Sequence, residues 1–276
     1  MSFVQWLAAL KKSLTGAHNL ADWLTVGADN CLVCNGMIRG ESQHDRTGKG
    51  LLYLRQSLCH RCRESIPWIN RVECPHCGRG MYCEDCKRQP NRHFRLNRSA
   101  VAYDAVMRDW LAMYKYRGLE RLGPALAEML CPVYERLTEA AGGRWDAMTY
   151  VPISDTRAEE RGFNQSAAMA EYVSKRYGIP LHSLLKRTRH TEKMSFKTRT
   201  QRLRDAQGLF APREAGFQEL RANHPLHTGE NAMNILLVDD IFTTGSTADA
   251  CSKALQAGAR LLDTEACIYV LTWARS

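Results

Sequence analysis

The 276-residue sequence predicts an α/β fold, a parallel sheet with helices on both faces, preceded by a small Cys-rich module. Three observations predict it. Beyond about residue 98, short and fully apolar strand-like runs alternate with helical patterns, which is the signature of a parallel sheet buried on both sides. Eight of the 11 cysteines lie between positions 31 and 86. The chain is 45% hydrophobic and 24% charged, an ordinary globular balance in a length that suits about two domains. The expected organisation is an N-terminal helix over residues 1–28, a Cys-rich module over 29–98 and an α/β domain over 99–276.

Residues 1–28 come first. Phe3, Trp6, Leu7, Leu10 and Leu14 recur at spacings of three and four, which predicts an amphipathic helix. Such a stripe ordinarily packs on the protein's own body, since Lys11 and Lys12 make only a thin basic face for a membrane surface or a partner helix. No apolar run approaches the roughly 18 residues of a membrane span, and the charges follow the first apolar stretch rather than precede it, unlike a secretory signal. The expected location is the cytoplasm.

The eight clustered cysteines form four C-x-x-C pairs: Cys31/Cys34, Cys59/Cys62, Cys74/Cys77 and Cys83/Cys86. Each pair lets two thiolates converge on one tetrahedral cation, so four pairs supply ligands for two structural zinc ions. In a reducing compartment a disulfide framework is the weaker reading, and a thioredoxin-like redox pair needs a single C-x-x-C beside a βαβ unit. The spacing suggests sequential sites, a wide one closed by 24 intervening residues and a tight one closed by five, while a cross-braced pairing stays open. His60 and His76 sit inside the knuckles and read as loop residues, since eight cysteines already suffice. Cys131, Cys251 and Cys267 read as small buried residues.

Charge follows the same boundary. Residues 31–98 carry 13 Lys+Arg against 6 Asp+Glu, whereas residues 99–276 carry 23 against 21. A basic module favours anionic partners, nucleic acid above all.

In the second part, 99–103 reads as a strand and 103–117 as a helix with Val106, Trp110, Met113 and Tyr114 on one side, capped by Gly118. Residues 123–137 read as a second helix, 148–151 as a strand, 162–176 as a helix and 179–185 as extended chain. Residues 210–231, rich in Gly, Pro, Glu and His, read as a surface insertion. Residues 234–238 form a continuous apolar strand, 246–256 a helix closed by Gly258, and 266–272 the last strand.

The sharpest motif is the strand Ile235, Leu236, Leu237, Val238 running into Asp239 and Asp240, then Thr243, Thr244, Gly245, Ser246 and Thr247 at a helix start. Open parallel sheets bind ligands at their carboxyl edges. The small-residue loop can turn several backbone amides and hydroxyls towards one point, as a phosphate monoester requires. The two aspartates are acceptors suited to neighbouring ribose hydroxyls, directly or through Mg²⁺. An acidic strand end followed by a Thr/Ser helix cap is the plain structural alternative.

This motif resembles the signature of the type I phosphoribosyltransferases. With Tyr114-Lys-Tyr-Arg-Gly118, Val151-Pro-Ile-Ser154 and Arg161-Gly-Phe-Asn-Gln165 in this order, the sequence from about Cys31 onward resembles the ComF family, which joins a double zinc ribbon to a phosphoribosyltransferase-like domain. The resemblance implies binding of 5-phosphoribosyl pyrophosphate (PRPP) with Mg²⁺. Asp239 and Asp240, the catalytic pair, would hold the ribose and stabilise its developing positive charge, the 243–247 loop would anchor the 5-phosphate, and Pro152, Ile153 and Ser154 would approach the pyrophosphate. Arg161 offers a fixed cation there, with Asn164 and Gln165 as orienting amides; locally, pairing of Arg161 with Glu159 or Glu160 is an equal reading. The basic run 186–204 holds eight Lys+Arg and one acid, and occupies the place of a lid, with Arg187, Arg189, Lys193, Lys197 and Arg202 as candidates. It departs from the family's T-x-x-Q and R-x-x-N, because Met194 follows Thr191 and Asp205 follows Arg202 at those spacings; Gly208 and Phe210 match.

The implied role is competence, in uptake and handling of single-stranded DNA, with a competence helicase as a further partner. The alternatives are a conventional nucleobase-salvage phosphoribosyltransferase and a non-catalytic zinc-ribbon adaptor. No residue names the nucleophile of a transfer reaction.

Overall fold

The computed structural model describes residues 30–38, 51–88, 91–188, 208–223 and 232–276. The stripe expected at 1–28, and Arg189, Lys193, Lys197 and Arg202 of the expected lid, lie outside the described residues. Three short helices belong to the Cys-rich part: α1 (Leu52–Ser57), α2 (His60–Glu64) and α3 (Glu84–Arg88). The remainder runs β1 (Leu96–Ala102), α4 (Ala105–Tyr116), α5 (Gly123–Glu128), α6 (Cys131–Ala140), β2 (Ala147–Tyr150), α7 (Asp155–Arg161) and α8 (Gln165–Tyr177). It continues through β3 (Leu185–Arg187), β4 (Phe210–Pro212), α9 (Glu214–Asn223), β5 (Met233–Phe242), α10 (Ser246–Arg260) and β6 (Ala266–Arg275).

Four parallel strands form the sheet in the order β1-β6-β5-β2, with Leu237 opposite Val270 and Thr149 opposite Leu237 in register. Strand side chains alternate between faces. Leu236, Val238, Leu271 and Trp273 therefore enter one apolar core beneath α4, α5, α6 and α8. Ile235, Leu237, Ile268 and Val270 enter a second core with α9 and α10. The predicted α/β class with helices on both faces is what the chain adopts. Both sheet edges are covered, which removes unpaired backbone groups that invite aggregation. On one side Trp68 bridges Val101 and Ile69 N–H donates to Ala100; on the other Leu181 bridges Met148.

Several expected boundaries move, each for a local reason. The helix expected over 162–176 begins at Gln165, capped by Asn164, because Gly162 takes φ 74° and closes a separate preceding helix, α7. The helix expected over 123–137 is interrupted between α5 and α6, where Pro132 stands in the first turn of α6. Gly258 lies inside α10 rather than past its end; its missing side chain makes room for the Phe217 ring of α9. The expected surface insertion is wrong over 210–223. There β4 pairs antiparallel with β3, and α9 buries Phe217 and Leu220 in the second core.

The Cys-rich part is joined to both cores. Cys31, Leu54, Leu58, Cys62 and Ile66 belong to the first, while Cys74, Cys77, Cys83 and Cys86 belong to the second. Buried Glu128 of α5 accepts from the Leu54 and Tyr53 amides at 2.6 and 3.2 Å, pinning the start of α1 to the body.

Candidate functional site

At the carboxyl edge of the sheet β5 carries Asp239 and Asp240. Strand pairing continues past them to Phe242, so the loop begins at Thr243. Adjacent strand residues face opposite ways, and the two carboxylates find different partners. Asp239 accepts from the Ser166 hydroxyl at 3.0 Å and from the Asp240 amide at 2.9 Å. Asp240 forms an ion pair with Lys115 of α4, both side chains being largely buried. Burial and the Asp240 charge push the Asp239 carboxyl up to about 7. Burial acts on Asp240 in the same sense, but the Lys115 charge and hydrogen bond outweigh it and hold that carboxyl below the usual value. One acid thus keeps its charge firmly, while its neighbour ionises only near neutrality.

The loop that follows has the conformation its residues predict. Gly245 takes φ 83° and precedes α10, and the Thr244 hydroxyl lies 3.1 Å from the Ser246 hydroxyl. Thr243 is exposed, Thr244 partly so, and Ser246 buried. First-turn amides of a helix lack intrahelical acceptors and carry its positive dipole end, so they favour a phosphate.

The second cluster of expected residues converges on the same edge. Val151 pairs with Val238, and Pro152, Ile153 and Ser154 follow as a half-buried loop. Ser154 accepts from the Arg157 amide, so its hydroxyl caps α7. Asn164 is also structural, accepting from the amides of Ser166 and Ala167 and donating to the Val151 carbonyl at 3.1 Å. Arg161 stacks over Tyr116 at 4.8 Å and donates to the Tyr116 hydroxyl and to Gln165, rather than pairing with Glu159 or Glu160. Its Nε is buried with no hydrogen-bond partner among the described residues. Arg187 stacks on Phe210 at 5.9 Å; burial and the nearby Arg157 charge lower its pKa. Arg187 and Asp239 both act on the buried Cys251 thiol, which burial pushes well up.

Sequence reasoning missed the roles of Lys115, Ser166 and Tyr116. Lys115 and Tyr116 lie inside the quoted Tyr114-Lys-Tyr-Arg-Gly118 stretch, but nothing in it says that Lys115 meets a carboxylate 125 positions away.

Two tetracysteine groups assemble sequentially: Cys31, Cys34, Cys59 and Cys62 form one, and Cys74, Cys77, Cys83 and Cys86 the other, all sulfurs of a group within 4.8 Å of one another. Cross-bracing is excluded by this arrangement. Sulfur pairs at 3.6 Å (Cys34–Cys59) and 3.5 Å (Cys77–Cys83) approach the edge, about 3.8 Å, of a tetrahedron with Zn–S bonds of about 2.3 Å. The donor sets therefore fit one tetrahedral metal ion each. Neither His60, which pairs with Glu64, nor His76 is in either set.

The molecule is thus an α/β protein with an acidic strand end, a left-handed glycine turn that opens a helix, and two tetracysteine groups that could each hold a metal ion. No protein-family model matches the chain. It is similar to Competence protein ComFC of Bacillus subtilis (strain 168), 28% identical over 236 residues that cover 82% of this chain and 88% of that protein. Competence protein ComFC of Streptococcus pneumoniae (strain ATCC BAA-255 / R6) is 27% identical over 242 residues, 85% and 97% of the two chains. Competence protein F of Haemophilus influenzae (strain ATCC 51907 / DSM 11121 / KW20 / Rd) is 26% identical over 225 residues, 75% and 88%. The similarity to these three competence proteins runs along most of the chain. Among the described residues, no helix is long and apolar enough to cross a membrane.

Proposed function

We propose that this protein acts in competence, in the handling of single-stranded DNA, and that its sheet edge binds a 5-phosphoribosyl ester, PRPP with Mg²⁺. The observation that carries the reading is the conjunction of Asp239 and Asp240 at the end of β5 with the left-handed Gly245 turn that opens α10. The 243–247 loop would anchor the 5-phosphate through backbone amides, and the carboxylates would hold the ribose hydroxyls. Pro152, Ile153 and Ser154, with Arg161 and Arg187, would face the pyrophosphate, where Mg²⁺ supplies charge neutralisation when bound. Anchoring the non-reacting phosphate matters because its binding energy orients the ribose. Both tetracysteine groups would hold zinc with no open position, in a stabilising role. Three relatives named for competence and the basic surplus of residues 31–98 support the DNA reading.

Calorimetric titration of PRPP into zinc-loaded protein tests the ligand. Saturable, Mg²⁺-dependent binding that disappears in Asp239→Asn/Asp240→Asn is expected; no binding to intact protein would overturn it. Fluorescence anisotropy with a labelled single strand tests the partner. Reversing the exposed Arg61 and Lys87 to Glu should weaken binding and flatten its salt dependence, and an unchanged isotherm would remove the module as the DNA surface.

A further inference from the structure

The two tetracysteine groups differ in what they touch. The first packs under α1 in the core of α4 to α8. The second lies directly behind the 243–247 loop, with all four of its cysteines buried together with Phe94, Phe242 and Ala248.

Two guanidinium groups span the gap. Arg275, at the end of β6, donates through Nη2 to Cys77 Sγ at 3.6 Å and through Nη1 to the carbonyl of Phe242, the residue before the loop, at 3.3 Å. Its plane lies 5.0 Å from the Phe242 ring. Arg92, from the segment that leaves the second group, donates to the Thr244 carbonyl at 3.0 Å and stacks on Phe94 at 5.4 Å. Phe94 in turn meets Phe242 edge-on at 5.8 Å. Arg92 Nη1 and the Phe242 ring fill the space that a side chain on Gly245 would need, so these two groups form the floor of the turn. Next to Arg92, the His93 amide and ring both reach the Asp249 carboxylate of α10, at 2.7 and 3.2 Å.

The hydrogen-bonding capacity of this floor is only partly used, although Arg275 Nη1 also donates to the Ser276 oxygen. Arg92 Nε and Nη2 and Arg275 Nε are buried and have no hydrogen-bond partner among the described residues. A cation shielded from water needs a counter-charge close by. Four thiolates around one divalent ion carry a net charge of about −2. Four protonated thiols carry none.

We propose that metal occupancy of the Cys74, Cys77, Cys83 and Cys86 group is thermodynamically coupled to phosphate-ester binding at the 243–247 loop, with Arg92 and Arg275 as the positioning residues that carry the coupling. The proposal rests on the phosphoribosyl reading of the loop. The loaded group holds both guanidiniums under Phe242, Thr244 and Gly245; its loss frees them and lets the turn that presents the amides relax. Among the described residues, no guanidinium joins the first group to the loop in this way. Coupling of this kind is reciprocal, so the ester must also retain the metal.

The test uses the full chain loaded with two equivalents of zinc and partly stripped by a chelator, with and without saturating ribose 5-phosphate. Released cysteines are alkylated and mapped by mass spectrometry, and ester binding is followed by calorimetry in the same solution. The ester should slow alkylation of Cys74, Cys77, Cys83 and Cys86 by about fivefold or more and leave Cys31, Cys34, Cys59 and Cys62 unchanged. Arg92→Met should keep two zinc ions and lose the selective protection, and Arg92→Lys should keep part of it. Bound ester with unchanged alkylation, with equal protection of both groups, or with full protection in Arg92→Met would overturn the coupling while leaving the ester site intact. Absence of ester binding would defeat the phosphoribosyl reading itself and the coupling with it.

Discussion

Replacing Asp239 by Asn should stabilise the fold while abolishing ligand binding. In the folded protein burial and the Asp240 charge raise the Asp239 carboxyl from 3.8 to about 7. A displacement of that size corresponds to about 4 kcal/mol of preference for the neutral form. Asp239 stands at an open edge and is partly exposed, so solvent screening should leave about 1–2 kcal/mol of it. The folded state holds this proton more tightly than the unfolded chain. Its contribution is therefore fully present below about pH 4 and is lost as the pH rises towards about 7. Asn cannot ionise and loses nothing over that window. Thermal unfolding of both proteins from about pH 4 to about pH 8 is the assay. The variant should gain on the natural protein across the window and end about 4 °C higher at the alkaline limit. A difference that stays constant with pH would refute the account of two carboxylates in mutual strain.

Lys115→Met removes the counter-charge of Asp240 and should cost about 2–3 kcal/mol at pH 8; since a depressed carboxyl stabilises only above its unfolded pKa, the deficit should shrink as the pH falls below about 4, as urea titrations at several pH values would show. Gly258→Ala gains about 1 kcal/mol of helix propensity, yet the new methyl meets the fully buried Phe217 ring. The net result should be a loss of about 1–2 kcal/mol, largely recovered by adding Phe217→Leu, and a stabilised single variant would show that the contact relaxes freely. Gly245→Ala places a side chain at φ 83° against Arg92 and Phe242, so PRPP affinity should fall tenfold or more, about 1.4 kcal/mol, with zinc content unchanged; unaltered affinity in the same calorimetric titration would mean that the turn does not present the phosphate site.

What the sequence revealed was what local pattern encodes. The run Ile235 to Val238 is apolar on both faces and can only be a central strand, and the acids and small residues after it are contiguous. The four C-x-x-C pairs were equally plain, and their spacing suggested the sequential sharing that the fold shows, while leaving cross-bracing open. Glycines misled where they serve packing rather than termination: Gly258 read as a stop, but α10 continues to Arg260 because Phe217 needs the vacant side. Gly162 misled the other way: it read as the start of a helix, but it closes α7, and α8 begins only at Gln165. Residues 210–223 looked polar enough for an insertion, yet Phe217 and Leu220, three positions apart, bury one face of α9. Lys115 with Asp240 and Arg92 with Thr244 were illegible, since those contacts join positions 125 and 152 apart through tertiary folding alone.

The central claim is that the end of β5 and the start of α10 form a phosphoribosyl site. A crystal structure of the zinc-loaded protein with PRPP and Mg²⁺ tests it most directly. The account predicts the 5-phosphate against the amides of residues 243–247 and the ribose hydroxyls at Asp239 and Asp240. Ligand bound elsewhere, or a vacant sheet edge at saturating PRPP, would contradict it.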